Sequence, residues 1–166
     1  MTAQVSGASL ARGKSRQDYG TPADFLEAVA QRFGRLDVDL AATSANRVAD
    51  LYISPQQDSL SVPWSQSLRG NLWLNPPFAN IAPWARKCAQ EAVGLGPHSR
   101  ILLLVPASVG ANWFAESVHR KALVLGLQGR LTFVGETDPC PRDLILAVYG
   151  EGLEGFGVWK WRAPKI

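Results

Sequence analysis

The sequence predicts an α/β fold: a mostly parallel sheet with an antiparallel end and helices on both faces. Three observations carry this. Short apolar runs of strand character alternate with segments of helical periodicity at close spacing, from Leu36 to Trp161. One run, Asn71-Leu72-Trp73-Leu74, is cut off by Asn75-Pro76-Pro77-Phe78. Neither proline can donate to a ladder and each fixes its φ, so the strand stops with Asn75 at its carboxyl end, the edge where ligands bind in open α/β sheets. The third is size: 166 residues, 46% hydrophobic and 19% charged, suffice for one domain with a sizeable core and leave no room for a second large module.

Taken in order, residues 1–17 are Ser, Gly, Ala and Gln with basic residues, which predicts a flexible arm ahead of a single domain over 18–166. Thr21-Pro22-Ala23-Asp24 opens a helix, with Thr21 as N-cap, Pro22 in the first turn and Asp24 meeting the helix dipole. Phe25, Leu26, Val29 and Phe33 give it an apolar face, and Gly34 stops it. Residues 36–42 hold a short strand ending at Asp39, and Tyr52-Ile53 another. Asn71–Leu74 is the buried strand described above. Residues 80–93 form a helix with Pro83 in its first turn, slim Ala82, Ala85, Ala89 and Ala92, and Trp84 and Cys88 facing inward. Residues 100–105 make a buried strand closed by Pro106; 112–120 a short helix; 122–125, 144–149 and 156–161 three further strands. The Gly- and Pro-rich stretch 126–142 contains one more β candidate, residues 130–133. The links between residues 40 and 70 are too short for full helices, so this half of the sheet reads as trimmed.

Composition narrows the function classes. The net charge of +3 and pI near 9.1 allow a polyanion as partner. Arg12, Lys14 and Arg16 precede the first acid, and Lys160, Arg162 and Lys165 follow the last, so both ends can reach phosphates. Cys88 and Cys140 have no metal-ligand spacing and His98 and His119 are isolated, so no metal is expected and a reducing cytoplasmic setting is. There is no apolar run long enough for a membrane span and no signal-peptide pattern. A monomer is favoured. At Asn75, the side-chain amide and the Pro76 carbonyl point out of the sheet beneath Phe78. Two acceptors under an aromatic lid suit a flat base with an exocyclic amine.

Asn75-Pro76-Pro77-Phe78 resembles the catalytic tetrapeptide of DNA amino-methyltransferases of the adenine-N6 kind. The chain as a whole is similar to the small phage-type DNA N6-adenine methyltransferases. The matching pieces are Tyr19-Gly20-Thr21-Pro22, Asp37-Val38-Asp39-Leu40-Ala41-Ala42, Asn46, Asp58-Ser59-Leu60, Trp64, the Asn75–Phe78 turn and Trp84. They cover roughly the first two-thirds of the chain. The resemblance implies a Rossmann-like sheet, S-adenosylmethionine (AdoMet) as cofactor, double-stranded DNA as substrate and methyl transfer to adenine N6. It also implies a phage or prophage origin within a bacterial cell. It assigns Asn75, Pro76, Pro77 and Phe78 to catalysis. Tyr19, Thr21 and Pro22 fall to the methionine end of the cofactor, Asp39 with Ala41 to its amino group, Asp58 and Ser59 to its adenine, and Asn75 to its neighbourhood. Asn46 bonds the cofactor or caps a turn; the residues do not separate the two. Asp50 is the one nearby candidate for the ribose. The loop after Asp39 lacks the usual glycines, which departs from the pattern. Arg130 and Arg142 are the expected DNA contacts of the 126–142 stretch, beside Arg12, Lys14 and Arg16 in the arm. Cytosine N4, RNA or protein as substrate, and a nucleic-acid-binding protein with a degenerate fold, are the alternatives.

Overall fold

The computed structural model describes residues 19–162, so Arg12, Lys14 and Arg16 lie outside the described residues. The described chain forms one seven-stranded sheet with helices on both faces. Its strands are β1 (Val38–Asp39), β2 (Leu51–Tyr52), β3 (Asn71–Leu74), β4 (Arg100–Pro106), β5 (Leu123–Gln128), β6 (Leu144–Tyr149) and β7 (Gly155–Lys160), in the spatial order β2-β1-β3-β4-β6-β5-β7. All neighbours are parallel except β6, which runs antiparallel to both β4 and β5. The reversed strand is therefore inside the sheet rather than at its end. The expected antiparallel end is corrected: β7, the last strand, pairs parallel with β5.

Strand periodicity sorts the core into two layers. Leu72 and Leu74, with Ile101, Leu103 and Val105, face one side, where α2 (Ala82–Ala92) and α3 (Asn112–Ser117) bring Ala85, Cys88 and Phe114. Trp73, Leu102, Leu104 and Leu146 face the other, where α1 (Ala23–Phe33) brings Phe25 and Val29. Each fully buried Leu contributes about 1.5–3 kcal/mol.

Four local expectations change. The N-cap of α1 is Pro22, extended at φ −66° and ψ 143°, and Thr21 is not the cap. β5 runs to Gln128, through Gly126, because β7 pairs along its whole length. α3 ends at Ser117, short of Arg120. Residues 130–133 form no strand; Leu131 and Phe133 are buried in the α1-side core, and among the described residues the one ladder contact nearby is an isolated bridge, Gly20 to Val134. The links β1–β2 and β2–β3 carry no α-helix, only a 3₁₀ turn at Pro55–Gln57, as the trimmed reading expects. No helix of the described residues is long and apolar enough to cross a membrane.

Candidate active site

β1 and β3 lie side by side, with Asp39 beside Trp73. From β1 the chain moves outward to β2; from β3 it moves the opposite way to β4. Such a reversal opens a crevice above the carboxyl ends of the strands. A cavity of about 250 Å³ occupies it, just under the span usual for small-molecule sites, roughly 300–1,000 Å³. Tyr19, Thr21, Asp39 and Ala41 line it, and so do Asn46, Asp58, Ser59, Asn75 and Pro77. Pro22 does not. Five separate stretches of sequence thus converge on one hollow.

Asp39 is 3% exposed and ends β1. Its Oδ1 accepts from the Ala41 N–H at 3.3 Å and its Oδ2 from the Val48 N–H at 3.1 Å. The carboxylate thereby folds the glycine-free loop after β1 around itself. Burial raises its pKa from 3.8 to about 6, against the pull of those two N–H groups. A buried carboxylate of this kind is complementary to a cationic amine. Asn46 closes the same loop: its Oδ1 accepts from the Thr43 N–H at 2.7 Å and the Thr43 hydroxyl at 3.0 Å. Asn46 therefore caps a turn while lining the cavity.

Across the hollow, Asp58 ends the 3₁₀ turn in the left-handed region, at φ 50°, and its carboxylate accepts from the Ser61 hydroxyl. The turn itself is closed by a capping box between Ser54 and Gln57 that the sequence reading passed over, although Ser-Pro-Gln-Gln carries its spacing. Ser59 is buried, and its carbonyl and hydroxyl accept from the Trp64 indole N–H at 3.0 and 3.1 Å. Trp64 is fully buried and holds this wall in place.

Asn75 stands at the end of β3. Its Nδ2 donates to the Tyr19 carbonyl at 3.0 Å and the Thr21 hydroxyl at 3.2 Å. A carbonyl can only accept, so the amide nitrogen must be the group that faces it. Both amide hydrogens are used, and the side-chain oxygen is left as the acceptor. Thr21, 7% exposed, spends its hydroxyl on Asn75. Pro76 is buried and lines neither this cavity nor the next.

Phe78 turns to a second cavity of about 350 Å³, which shares Tyr19 with the first as a common wall. Tyr19, Phe78 and Phe133 form an aromatic triangle with ring centroids 5.1 to 6.3 Å apart. Arg142 lines this second cavity, as do Glu136 and Asp138. Arg130 does not; it pairs with Asp143 at 3.6 Å, on the surface. Asp50, the nearby ribose candidate, lies outside both cavities and pairs with Arg47 at 3.0 Å. Sequence reasoning missed Trp73, Val48, Ile53, Ser54 and Pro55 in the first cavity and Glu136 and Asp138 in the second. Trp84, expected to point inward, packs against the core and lines the first cavity as well. Ser54 and Pro55, four and three residues ahead of Asp58, Val48, two past Asn46, and Trp73, two ahead of Asn75, all stood near a recognised position. No group of three or more His, Cys, Asp or Glu able to hold a metal occurs among the described residues.

Comparison with known proteins supplies the rest. Residues 9–143 match the family model described as DNA N-6-adenine-methyltransferase (Dam). A DNA N-6-adenine-methyltransferase of Escherichia phage T1 is 26% identical over 117 residues, 70% of this chain and 47% of the relative. One of Haemophilus phage HP1 (strain HP1c1) is 25% identical over 145 residues, 82% of this chain and 80% of the relative. The match thus spans about half the length of the T1 protein and four-fifths of the HP1 protein.

Proposed function

Because the chain belongs to the DNA N-6-adenine-methyltransferase family, we propose that it transfers a methyl group from AdoMet to the N6 amine of adenine in double-stranded DNA. The observation that carries this is the fixed amide of Asn75: its nitrogen is bound to Tyr19 and Thr21, so its oxygen is left as an acceptor in the first cavity, which shares Tyr19 with the second.

The first cavity fits the cofactor. AdoMet is cationic, and Asp39 and Asp58 line that hollow together with Trp84. Asp39 takes the amino group, and Asp58 accepts from the exocyclic amine of the cofactor's adenine. When bound, AdoMet supplies an electrophilic methyl on sulfur: the N6–carbon bond forms as the sulfur–carbon bond breaks, and the surplus amine proton passes to water. The second cavity takes the target base, extruded from the duplex because its amine cannot be reached within the stack. Phe78 stacks on it, and Tyr19 and Phe133 close the aromatic wall. With its amine turned past Tyr19 toward the first cavity, the base gives one amine hydrogen to the Asn75 oxygen; Pro76, which lines neither cavity, shapes the turn. That withdraws the nitrogen lone pair from the ring and leaves it directed at the methyl group. Pro77 holds the turn. Rate enhancement then comes from position and aimed dipoles, with no covalent enzyme intermediate. Arg142 meets phosphate beside the base pocket. The phage origin of both relatives fits work on DNA inside a bacterial host.

The test is methyl transfer from labelled AdoMet to unmethylated duplex DNA, followed by digestion and detection of N6-methyladenine. Wild type is expected to make it. Asn75→Ala is expected to lose on the order of a hundredfold or more in kcat, while still binding AdoMet. Label in cytosine, RNA or protein instead of adenine sinks the adenine assignment, and failure to bind AdoMet at all sinks the enzyme.

A further inference from the structure

The two edges of the sheet are finished differently. β2 offers two residues, too few to template another strand. β7 offers six, and among the described residues no strand pairs with its outer side. A long unpaired edge is a template for another chain unless something blunts it.

The side chains of β7 say what would pair there. Phe156 lies beside Val124 and Val158 beside Gly126, so both stand on the α2 side of the sheet, over a position with no side chain. They are 67% and 70% exposed. Lys160, also exposed, continues the same alternation, and exposed Glu154 stands just ahead of the strand, across Gly155 at φ 126°. The edge therefore carries an aromatic, an aliphatic and a base along one face, with an acid at its start. Glu154 has an ion pair with Arg120, but at 3.9 Å and with both side chains mostly exposed it commits the carboxylate weakly.

We propose that β7 is a self-association surface whose occupant is a second copy of this chain, paired antiparallel about Gly157. Glu154 then faces Lys160 of the second copy and Phe156 faces Val158, each pair made twice by the twofold axis. Gly157 meets its own counterpart on that axis, where the missing Cβ lets the backbones approach. Parallel pairing in register would set Glu154 on Glu154 and Lys160 on Lys160, so the charges select the antiparallel arrangement. This replaces the monomer that the sequence favours. The twofold stands perpendicular to the sheet, so the Asp39–Asn75 edges of the two copies point in opposite directions. The dimer would carry two sites that cannot share one stretch of duplex.

Sedimentation velocity of the full chain, from about 1 to about 200 μM as a small interface requires, tests this. Wild type is expected to pass from monomer to dimer. Glu154→Lys and Lys160→Glu should each raise the dimer dissociation constant about tenfold, and the double exchange should restore it. Lys160→Glu leaves the Arg120 pair untouched and so separates the two roles of Glu154. Val158→Glu should abolish the dimer, with circular dichroism and AdoMet binding confirming that each variant folds. A chain monomeric throughout overturns the proposal; slow hydrogen exchange in β7 would then assign the edge to residues 1–18 or 163–166. A dimer indifferent to these substitutions, or one that the double exchange does not restore, overturns it equally.

Discussion

The two halves of the sheet are held together by different physics. β2, β1 and β3 have two, two and four residues, whereas β4, β6, β5 and β7 have seven, six, six and six. The long half is stabilised by burial: Leu102, Leu103, Leu104, Leu146 and Val148 are fully enclosed. The short half shares that burial through Leu72, Trp73 and Leu74, and is wired in addition by side chains bonding to backbone. Asp37 accepts from the Asn71 N–H, and the Asn71 amide donates to the carbonyls of Phe33 and Arg35, tying α1 to β3. Asp39, Asn46 and Trp64 do the same around the cavity. The lesson is that a wall made of loops needs a polar clasp in each loop, and two of these clasps, Asp39 and Asn46, also line the first cavity.

That contrast can be broken from either side. Leu103→Ala in the long half should cost about 2–5 kcal/mol of stability, read by denaturant unfolding, while AdoMet affinity of the folded protein stays unchanged. A loss of affinity equal to the loss of stability would dissolve the distinction. Asp39→Asn in the short half should do the reverse and weaken AdoMet binding at pH 8 by roughly tenfold to a hundredfold, the worth of a charged hydrogen bond. The pH profile sharpens this. With its pKa raised to about 6, Asp39 is charged above that value, so wild-type affinity for the cationic cofactor rises with pH through about 6, and the Asn variant should be flat there. In the free protein the sign is opposite. The folded state holds this proton more tightly than the unfolded state, so the group's own contribution to stability falls as pH rises from 3.8 to about 6. The smallest effect is expected at Thr21→Val, which removes one bond to the Asn75 amide. Its kcat should fall about two- to tenfold with AdoMet affinity held, and Thr21→Ser should restore it. A change in affinity alone would make Thr21 a cofactor ligand and not a positioning residue.

The same contrast governs what the sequence disclosed. β3 and β6 were legible to the residue, because an apolar run bounded by Asn75-Pro76 or by Asp143 and Gly150 needs no partner to be recognised. The lining of the first cavity was legible where its signal is local: the acid ending β1, the Asn ending β3, the Asp-Ser after the 3₁₀ turn. What pairing decides was not. The internal place of β6, the extension of β5 through Gly126 and the failure of residues 130–133 to form a strand all depend on which neighbour is present. Thr21 has the composition of an N-cap, but the bond it makes, to a side chain 54 residues away, has no local signature. Glu136 and Asp138 lie in a stretch rich in Gly, Pro and polar residues, where nothing local points into the second cavity they line.

Tyr19, Gly20 and Thr21 bond in two directions. The first and third hold Asn75, and the carbonyl between them accepts from the Val134 N–H at 2.9 Å. A Cβ on Gly20 would meet that of Val134 at 3.1 Å, which keeps this junction close. One short segment is therefore a tie rod between the acceptor at the end of β3 and the loop that walls the second cavity. Under the proposed function its consequence is cooperativity. Whichever ligand orders the segment first leaves less conformational freedom for the other to remove, and linkage makes the gain reciprocal. Cofactor and DNA would then each tighten the other's hold by one common factor, without a shared atom between them.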